Sequence, residues 1–211
     1  MSKFHFTTAP NNLALHTGDE VESVRLNRLA LSAQLQCDNI QFMNQSHGDG
    51  VKVVSEYSDV DPDADALITQ TPGIALAVLV ADCIPLLLSS ATCVAAVHVG
   101  RMGMTNGIIE KTVEIMEELG ATGISAQIGP SICAECYEVS PQMYDEVTAV
   151  FPESATSEIS HCLDLTRGTL AILRELGVDA QSLGLCTLEN EKYFSYRRDK
   201  SIGRQAGVIT L

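Results

Sequence analysis

Three short stretches bring acid, thiol and imidazole groups up against apolar strand sequence: Gln45-Ser46-His47-Gly48, Ala81-Asp82-Cys83-Ile84-Pro85 and Val97-His98-Val99-Gly100. Each falls at a strand end or a strand-to-loop junction, where a side chain is held by the sheet and still faces a cavity. Together His47, Cys83 and His98 offer two imidazoles and one thiolate. Three protein ligands with an open fourth position are the arrangement of a catalytic zinc, which activates bound water. Taken singly, each residue also has a plainer role. His47 fits a surface loop, Cys83 a small buried hydrophobe, and His98 a hydrogen-bonded core imidazole. The ligand spacing is long and irregular, unlike the short Cys-x2-Cys pairs of closed zinc sites, so spacing leaves both readings open.

These stretches must be positioned by regular elements. Apolar residues recurring at three and four predict helices over residues 21–35, 107–119, 141–150 and 166–176. Pro141 sits at the first helical position of the third, and Gly120 and Gly177 supply stops for the second and fourth. Shorter runs rich in β-branched residues predict strands at 51–54, 66–69, 74–80, 85–88, 94–98, 125–128, 183–187 and 206–210. Continuous apolar strands interleaved with amphipathic helices imply an α/β protein whose sheets are covered on both faces. The acidic run DVDPDAD, residues 59–65, is expected to be an exposed loop, because its charges repel and it has little to bury. No linker or repeat divides the chain, so residues 1–211 are expected to form one domain.

The chain has 211 residues, 13 Lys and Arg against 27 Asp and Glu, and a net charge of −14. That balance excludes a reader of phosphate backbones, which needs clustered positive charge, and a polybasic membrane anchor. The longest apolar run, residues 73–88, is broken by Asp82 and Pro85 and is too short for a membrane span. The N-terminal MSKFHFTTAPNN lacks the apolar core of a signal peptide. Seven scattered cysteines fit reduced thiols better than a disulfide framework. A cytoplasmic protein is expected, and its self-repelling charge and lack of heptads point to a monomer.

The stretches QSHGDGV from Gln45, DALITQTPGIALAVLVADCIPLLL from Asp65, AAVHVGRMG from Ala95, IGPSICAECYEV from Ile128 and KYFSYRRDKSIGR from Lys192 follow one another in a characteristic order. In that order and approximate spacing they resemble the YfiH, or laccase-domain, family. That family was formerly called multicopper polyphenol oxidase and includes purine nucleoside phosphorylases. The resemblance implies an α/β (α+β) fold, a four-layer α/β/β/α sandwich with mixed sheets built from a duplicated unit. It implies zinc on His47, Cys83 and His98, with copper the metal of the older family name. It places Tyr137 and Glu138, Arg197, Arg198 and Arg204 in pocket-forming motifs. Asp82 is then read as orienting a ligand or substrate, or as a turn residue capping amides. The paired arginines are candidates for binding phosphate or carboxylate, or for surface ion pairs. Cys133 and Cys136 form a C-x-x-C with no second pair and read as incidental to their motif. Where the family pattern is HAGWRG, this chain has HVGRMG, which moves the cation to Arg101. The Gly-Gly-Val-Ser run common before Asn-Leu in the family is also missing.

The function so implied is a zinc-dependent enzyme acting on purine nucleosides, by phosphorolysis of adenosine, inosine or methylthioadenosine or by deamination of adenosine. Its partners would be the nucleoside and phosphate, with no nucleic acid and no membrane. The shift to Arg101 leads to an expectation of deamination outweighing phosphorolysis. A second class is a cysteine hydrolase acting on an amide, with Cys83 as nucleophile and His98 as base. A copper-dependent phenol oxidase is disfavoured, since one His2Cys set among five histidines cannot hold a multicopper cluster. A binding protein with a lapsed site is the non-enzymatic alternative.

Overall fold

A computed structural model describes residues 2–156, 160–200 and 202–211, so Ser201 of the KYFSYRRDKSIGR stretch lies outside the described residues. In chain order the elements are β1 (Lys3–Phe6), α1 (Val21–Leu35), β2 (Asn39–Gln41), β3 (Val51–Val53), β4 (Ala66–Thr69), β5 (Ile74–Val80), β6 (Ile84–Ser89) and β7 (Val94–Val99). They continue with α2 (Arg101–Thr105), α3 (Ile108–Glu118), β8 (Ser125–Ile128), α4 (Pro141–Val150), α5 (Leu165–Glu175), β9 (Asp179–Ser182), α6 (Tyr196–Asp199) and β10 (Gln205–Thr210). The strands form a four-stranded sheet, β1-β10-β5-β2, and a six-stranded sheet, β3-β4-β7-β6-β8-β9. Both are mixed: β2 runs parallel to β5, β3 to β4 and β8 to β9, and the remaining pairs are antiparallel.

Side chains alternate across each strand, and that alternation builds three apolar layers. Leu76, Val78 and Val80 of β5 meet Leu87 of β6 and Val94 and Ala96 of β7 between the sheets. Ala75, Ala77 and Leu79 of β5 face the other way, onto Ala206 and Val208 of β10 and Leu31 of α1. Ala95, Val97 and Val99 of β7 lie under Met104 of α2, Ile108 and Val113 of α3 and Leu173 of α5. The order of layers is therefore helix, sheet, sheet, helix. A strand buried on both faces has no polar side to show, which is why β5 reads as an unbroken apolar run. Local signals agree at the helix starts, where Ser140 accepts from the Met143 amide and Asp164 from the Arg167 amide.

The structure departs from the sequence reading in four places. No strand covers residues 183–187. The strand lies just before it, at β9, whose polar Asp179–Ser182 sequence pairs along one edge only and is mostly exposed. Leu183 and Leu185, which suggested the strand, are 45% and 39% exposed. β1 and β2 carry little β-branched character, and their pairing with β10 and β5 makes them strands. Helix α2 begins at once after β7, with Gly100 as its extended N-cap residue. α1 has the expected span but buries only Val24 and Leu31, with Leu29 66% exposed.

Replacing Leu87 with Ala should cost about 2–5 kcal/mol, since it opens a cavity between two sheets that cannot both relax. Leu29→Ala, on the outer side of α1, should change stability by less than about 0.5 kcal/mol. Urea unfolding of the two variants, compared at equal m value, measures the difference.

Candidate metal centre

Three connections converge at one end of the layer between the sheets. His98 is on the same face of β7 as Val94 and Ala96, near the end of the strand. Cys83 lies in the tight link between β5 and β6, where Asp82 has φ 92°. His47 lies in the loop between β2 and β3, with φ 62°. A non-glycine residue in that left-handed region is uncommon and survives where surrounding contacts impose it. Here the imposition is visible for both. The Asp82 carboxylate accepts from Thr187 Oγ1 at 2.7 Å and from the Arg197 amide at 2.7 Å. The loop bearing His47 gives its amides to Asp65.

The ligand atoms of His47, Cys83 and His98 lie within 4.8 Å of one another. The two imidazoles meet edge to face, with centroids 4.6 Å apart. Gly100 makes this convergence sterically feasible: a Cβ there would sit 3.1 Å from His47 Cδ2 and 3.4 Å from Cys83 Sγ. His98 Nδ1 is bonded to Asp65 Oδ1 at 2.8 Å, so Nε2 is the nitrogen left for a ligand bond. A carboxylate behind a histidine in this way fixes its tautomer and ring orientation, as it does where an imidazole binds a metal through its other nitrogen. Two imidazoles, one thiolate and a backing carboxylate fit a tetrahedral zinc with one open position.

Asp65 is the residue that reading the sequence missed. The expected exposed loop of residues 59–65 is corrected at its last two positions: Ala64 is 5% and Asp65 1% exposed. Its carboxylate accepts from the amides of Ser46, His47 and Gly48 and from Ser46 Oγ, besides His98. Burial alone would raise its pKa. The His98 bond and the amides overcome that and bring it to about 2. The available signal was a single acid directly before the apolar strand Ala66–Thr69. Asp61, in the same run, is likewise occupied, paired at 3.1 Å with Arg28, whose guanidinium lies 3.7 Å over the Phe42 ring.

Cys83 and His98 shift one another. Burial would raise the Cys83 thiol, but the charge on His98 and hydrogen bonds from both histidines lower it to about 6. Burial would lower His98, but the Cys83 thiolate and the Asp65 carboxylate hold it up at about 9. Between these values the metal-free centre is a thiolate–imidazolium pair.

The triad forms one wall of a cavity of about 330 Å³. Asp82, Tyr137, Arg197 and Arg204 also line it, together with His16, Gln45 and Tyr196, which the sequence did not single out. Gln45 is fixed by a two-way bond to the Leu79 backbone, at 2.7 and 2.8 Å, which ties the His47 loop to β5. Arg197 donates to the Glu138 carbonyl at 2.9 Å, 5.3 Å above the Tyr137 ring. Burial, then the Cys83 charge, raises the Tyr137 phenol, with Arg101 and Arg197 partly offsetting them. Arg101 thus lies near Tyr137 at the start of α2 but does not line the cavity. Arg198 is elsewhere engaged, donating to the carbonyls of Thr187, Leu188 and Tyr193. It braces the chain behind the cavity wall.

The family model described as multi-copper polyphenol oxidoreductase laccase matches residues 2–211. A purine nucleoside phosphorylase of Corynebacterium glutamicum is 44% identical over 213 residues, covering 95% of this chain and 86% of its own length. The crystal structure of a Neisseria meningitidis protein superposes with a TM-score of 0.88 at 30% identity, covering 100% of this chain and 94% of that one. A hypothetical protein YfiH of Bacillus licheniformis superposes with a TM-score of 0.87 at 27% identity, covering 100% and 92%.

Three measurements test the centre. Asp65→Asn replaces an acceptor with an amide whose NH2 faces backbone donors, so metal affinity should fall about 10–100-fold by competition with a chelating dye. In the metal-free chain, alkylation of Cys83 read by peptide mass mapping should be half-maximal near pH 6. The sign for Asp65 follows from its lowered pKa. Its contribution to stability is complete above its ordinary value of 3.8 and fades as pH falls towards about 2. Asp65→Asn should flatten that part of the acid-unfolding curve.

Proposed function

The chain belongs to the multi-copper polyphenol oxidoreductase laccase family, and from that membership and the cavity we propose a zinc-dependent enzyme acting on purine nucleosides. The observation that carries this reading is the shared cavity: His47, Cys83 and His98 on one wall, with Arg197, Arg204 and two tyrosines around them. A volume of about 330 Å³ suits a small ligand, and aromatic rings beside cations suit a nucleoside next to phosphate. The name of the Corynebacterium glutamicum relative points to phosphorolysis.

In that reaction a phosphate oxygen bonds to the ribose C1′ while the bond from C1′ to the purine N9 breaks. The electron pair leaves with the base, which takes a proton on a ring nitrogen. Arg197 and Arg204 supply the positive charge that gathers phosphate from an otherwise acidic surface. Arg197 is well placed for this because its own amide is anchored by Asp82 and its guanidinium by Glu138. Tyr137, kept protonated by burial, supplies an O–H at the wall for the departing base. Zinc held by His47, Cys83 and His98 would add a Lewis acid with an open position. Asp82 acts in this scheme by positioning Arg197. With cations at 197 and 204, the phosphate subsite does not require the family's arginine after Trp, so the HVGRMG change leaves phosphorolysis intact. Adenosine deamination, with water replacing phosphate as acceptor and ammonia leaving, is the second activity proposed for the same cavity.

The thiolate–imidazolium pair of Cys83 and His98 also favours one further reading, a cysteine hydrolase. The two are separated by metal dependence. A chelated chain that loses nucleoside turnover and regains it with zinc supports the first. A chelated chain that keeps its activity and loses it to iodoacetamide supports the second.

The direct test is an assay of adenosine with and without phosphate, following free base and inosine separately. Phosphate-dependent adenine release should dominate. Arg204→Ala should raise KM for phosphate about tenfold or more, and Arg101→Ala should change it little. Inosine as the main product whether or not phosphate is present would assign the cavity to deamination alone.

A further inference from the structure

A second group of soft ligands stands apart from the triad. Cys133, Cys136, Cys186 and Glu189 bring their ligand atoms within 4.8 Å of one another. Ile132 and Tyr137, on either side of the C-x-x-C, line the nucleoside cavity, whereas Cys133 and Cys186 open onto separate surface depressions. We propose that these four residues form a closed, structural site for a soft divalent cation such as zinc, distinct from the triad and independent of its chemistry.

The backbone is arranged for it. The amides of Cys136 and Tyr137 both donate to the Cys133 carbonyl at 3.1 Å, a tight turn that brings the two sulfurs together. Cys186 comes from a connection distant in sequence that is fastened to the first. The Ser131 amide donates to the Leu185 carbonyl at 3.1 Å, and the Thr187 amide to the Ser131 carbonyl at 3.0 Å. The Cys133 amide donates to Cys186 Sγ at 3.4 Å, which fastens that sulfur against the C-x-x-C turn. Glu189 completes the set, 3.7 Å from Cys136 Sγ. The missing second pair that made the C-x-x-C look incidental is supplied in space by one cysteine and one carboxylate.

The donor set decides the class of ion. Three thiolates and one carboxylate are a four-coordinate set, and thiolate selects zinc over calcium or magnesium. Zinc–sulfur bonds of about 2.3 Å in a tetrahedron separate the sulfurs by about 3.8 Å, so these groups need only a small contraction. Binding releases the three thiol protons to solvent, leaves Glu189 ionised, and involves no change of oxidation state. A disulfide would join two of the sulfurs and leave the third with the carboxylate.

The consequence falls on the cavity. One loop ends in Tyr137 and in Glu138, whose carbonyl holds Arg197. The other continues into Thr187, whose hydroxyl holds Asp82. An ion shared by the two loops would fix the wall that carries both contacts.

The test uses the full chain carrying His47→Ala and Cys83→Ala, which removes the first centre. Purified reduced, loaded with zinc and desalted, it should retain one metal ion per chain by elemental analysis. With cobalt it should show a thiolate-to-metal charge-transfer band. Adding Cys133→Ser or Cys186→Ser should abolish both, with circular dichroism showing that the chain is folded. In the unaltered chain, zinc should protect Cys133, Cys136 and Cys186 from iodoacetamide. A folded double variant that retains no metal, or cobalt bound without the charge-transfer band, would overturn the proposal. So would a Cys133–Cys136 disulfide that persists when reduced chain is exposed to air in the presence of zinc.

Discussion

The buried carboxylate of Asp65 is the interaction on which the centre depends. It lies immediately before β4, beside β7, and accepts from His98 and from three successive amides of the loop that carries His47. One anion therefore sets the tautomer of His98 and the backbone of the loop that carries His47. A buried charge is tolerated only with such a full complement of donors. The left-handed turn at His47 follows from this, because the chain must curl around the carboxylate to present its amides. Gly100 fits the same crowding, since a Cβ there would press on His47 at 3.1 Å and touch Cys83 at 3.4 Å.

The sheets make this arrangement stiff. β7 is hydrogen-bonded to β4 on one side and β6 on the other, so His98 and the Asp65 backbone are held by a ladder buried on both faces. Cys83 enters from the link between β5 and β6, which crosses from the small sheet to the large one. The centre is thus assembled where the two sheets are joined covalently. Neither sheet alone contains it.

Much of this was legible in the sequence, and the gaps have physical causes. Doubly buried strands such as β5 and β7 declare themselves as apolar runs, and helices with one apolar side such as α3 and α5 by their period. Edge strands do not, because β2 and β9 become strands through their neighbours and have polar or short sequences. The thiol of Cys83 and the imidazole of His98 stood out against apolar runs, and His47 stood in the polar loop just before Val51. Asp65 was hidden by its acidic neighbours, since charge pattern alone cannot separate a solvated carboxylate from one enclosed by amides. Arg197 and Arg198 are adjacent in sequence but have different surroundings: one lines the cavity, and the other is spent on carbonyls. Cys186 lies too far along the chain for its spacing from Cys133 to carry a signal.

The register of β10 has a mechanical consequence. Lys3 pairs with Thr210 and Phe6 with Gly207, so the start of β1 and the end of β10 lie together at one side of the small sheet. Tension applied through those ends would peel the strands apart one rung at a time, the geometry in which a ladder resists least. The peeling starts at the side farthest from the cavity, because Gln205 of β10, at the other end, is opposite Val80 beside Asp82 and Cys83. Under pulling, this sheet would yield from its outer rim inwards, and the rungs next to the centre would be the last to bear load.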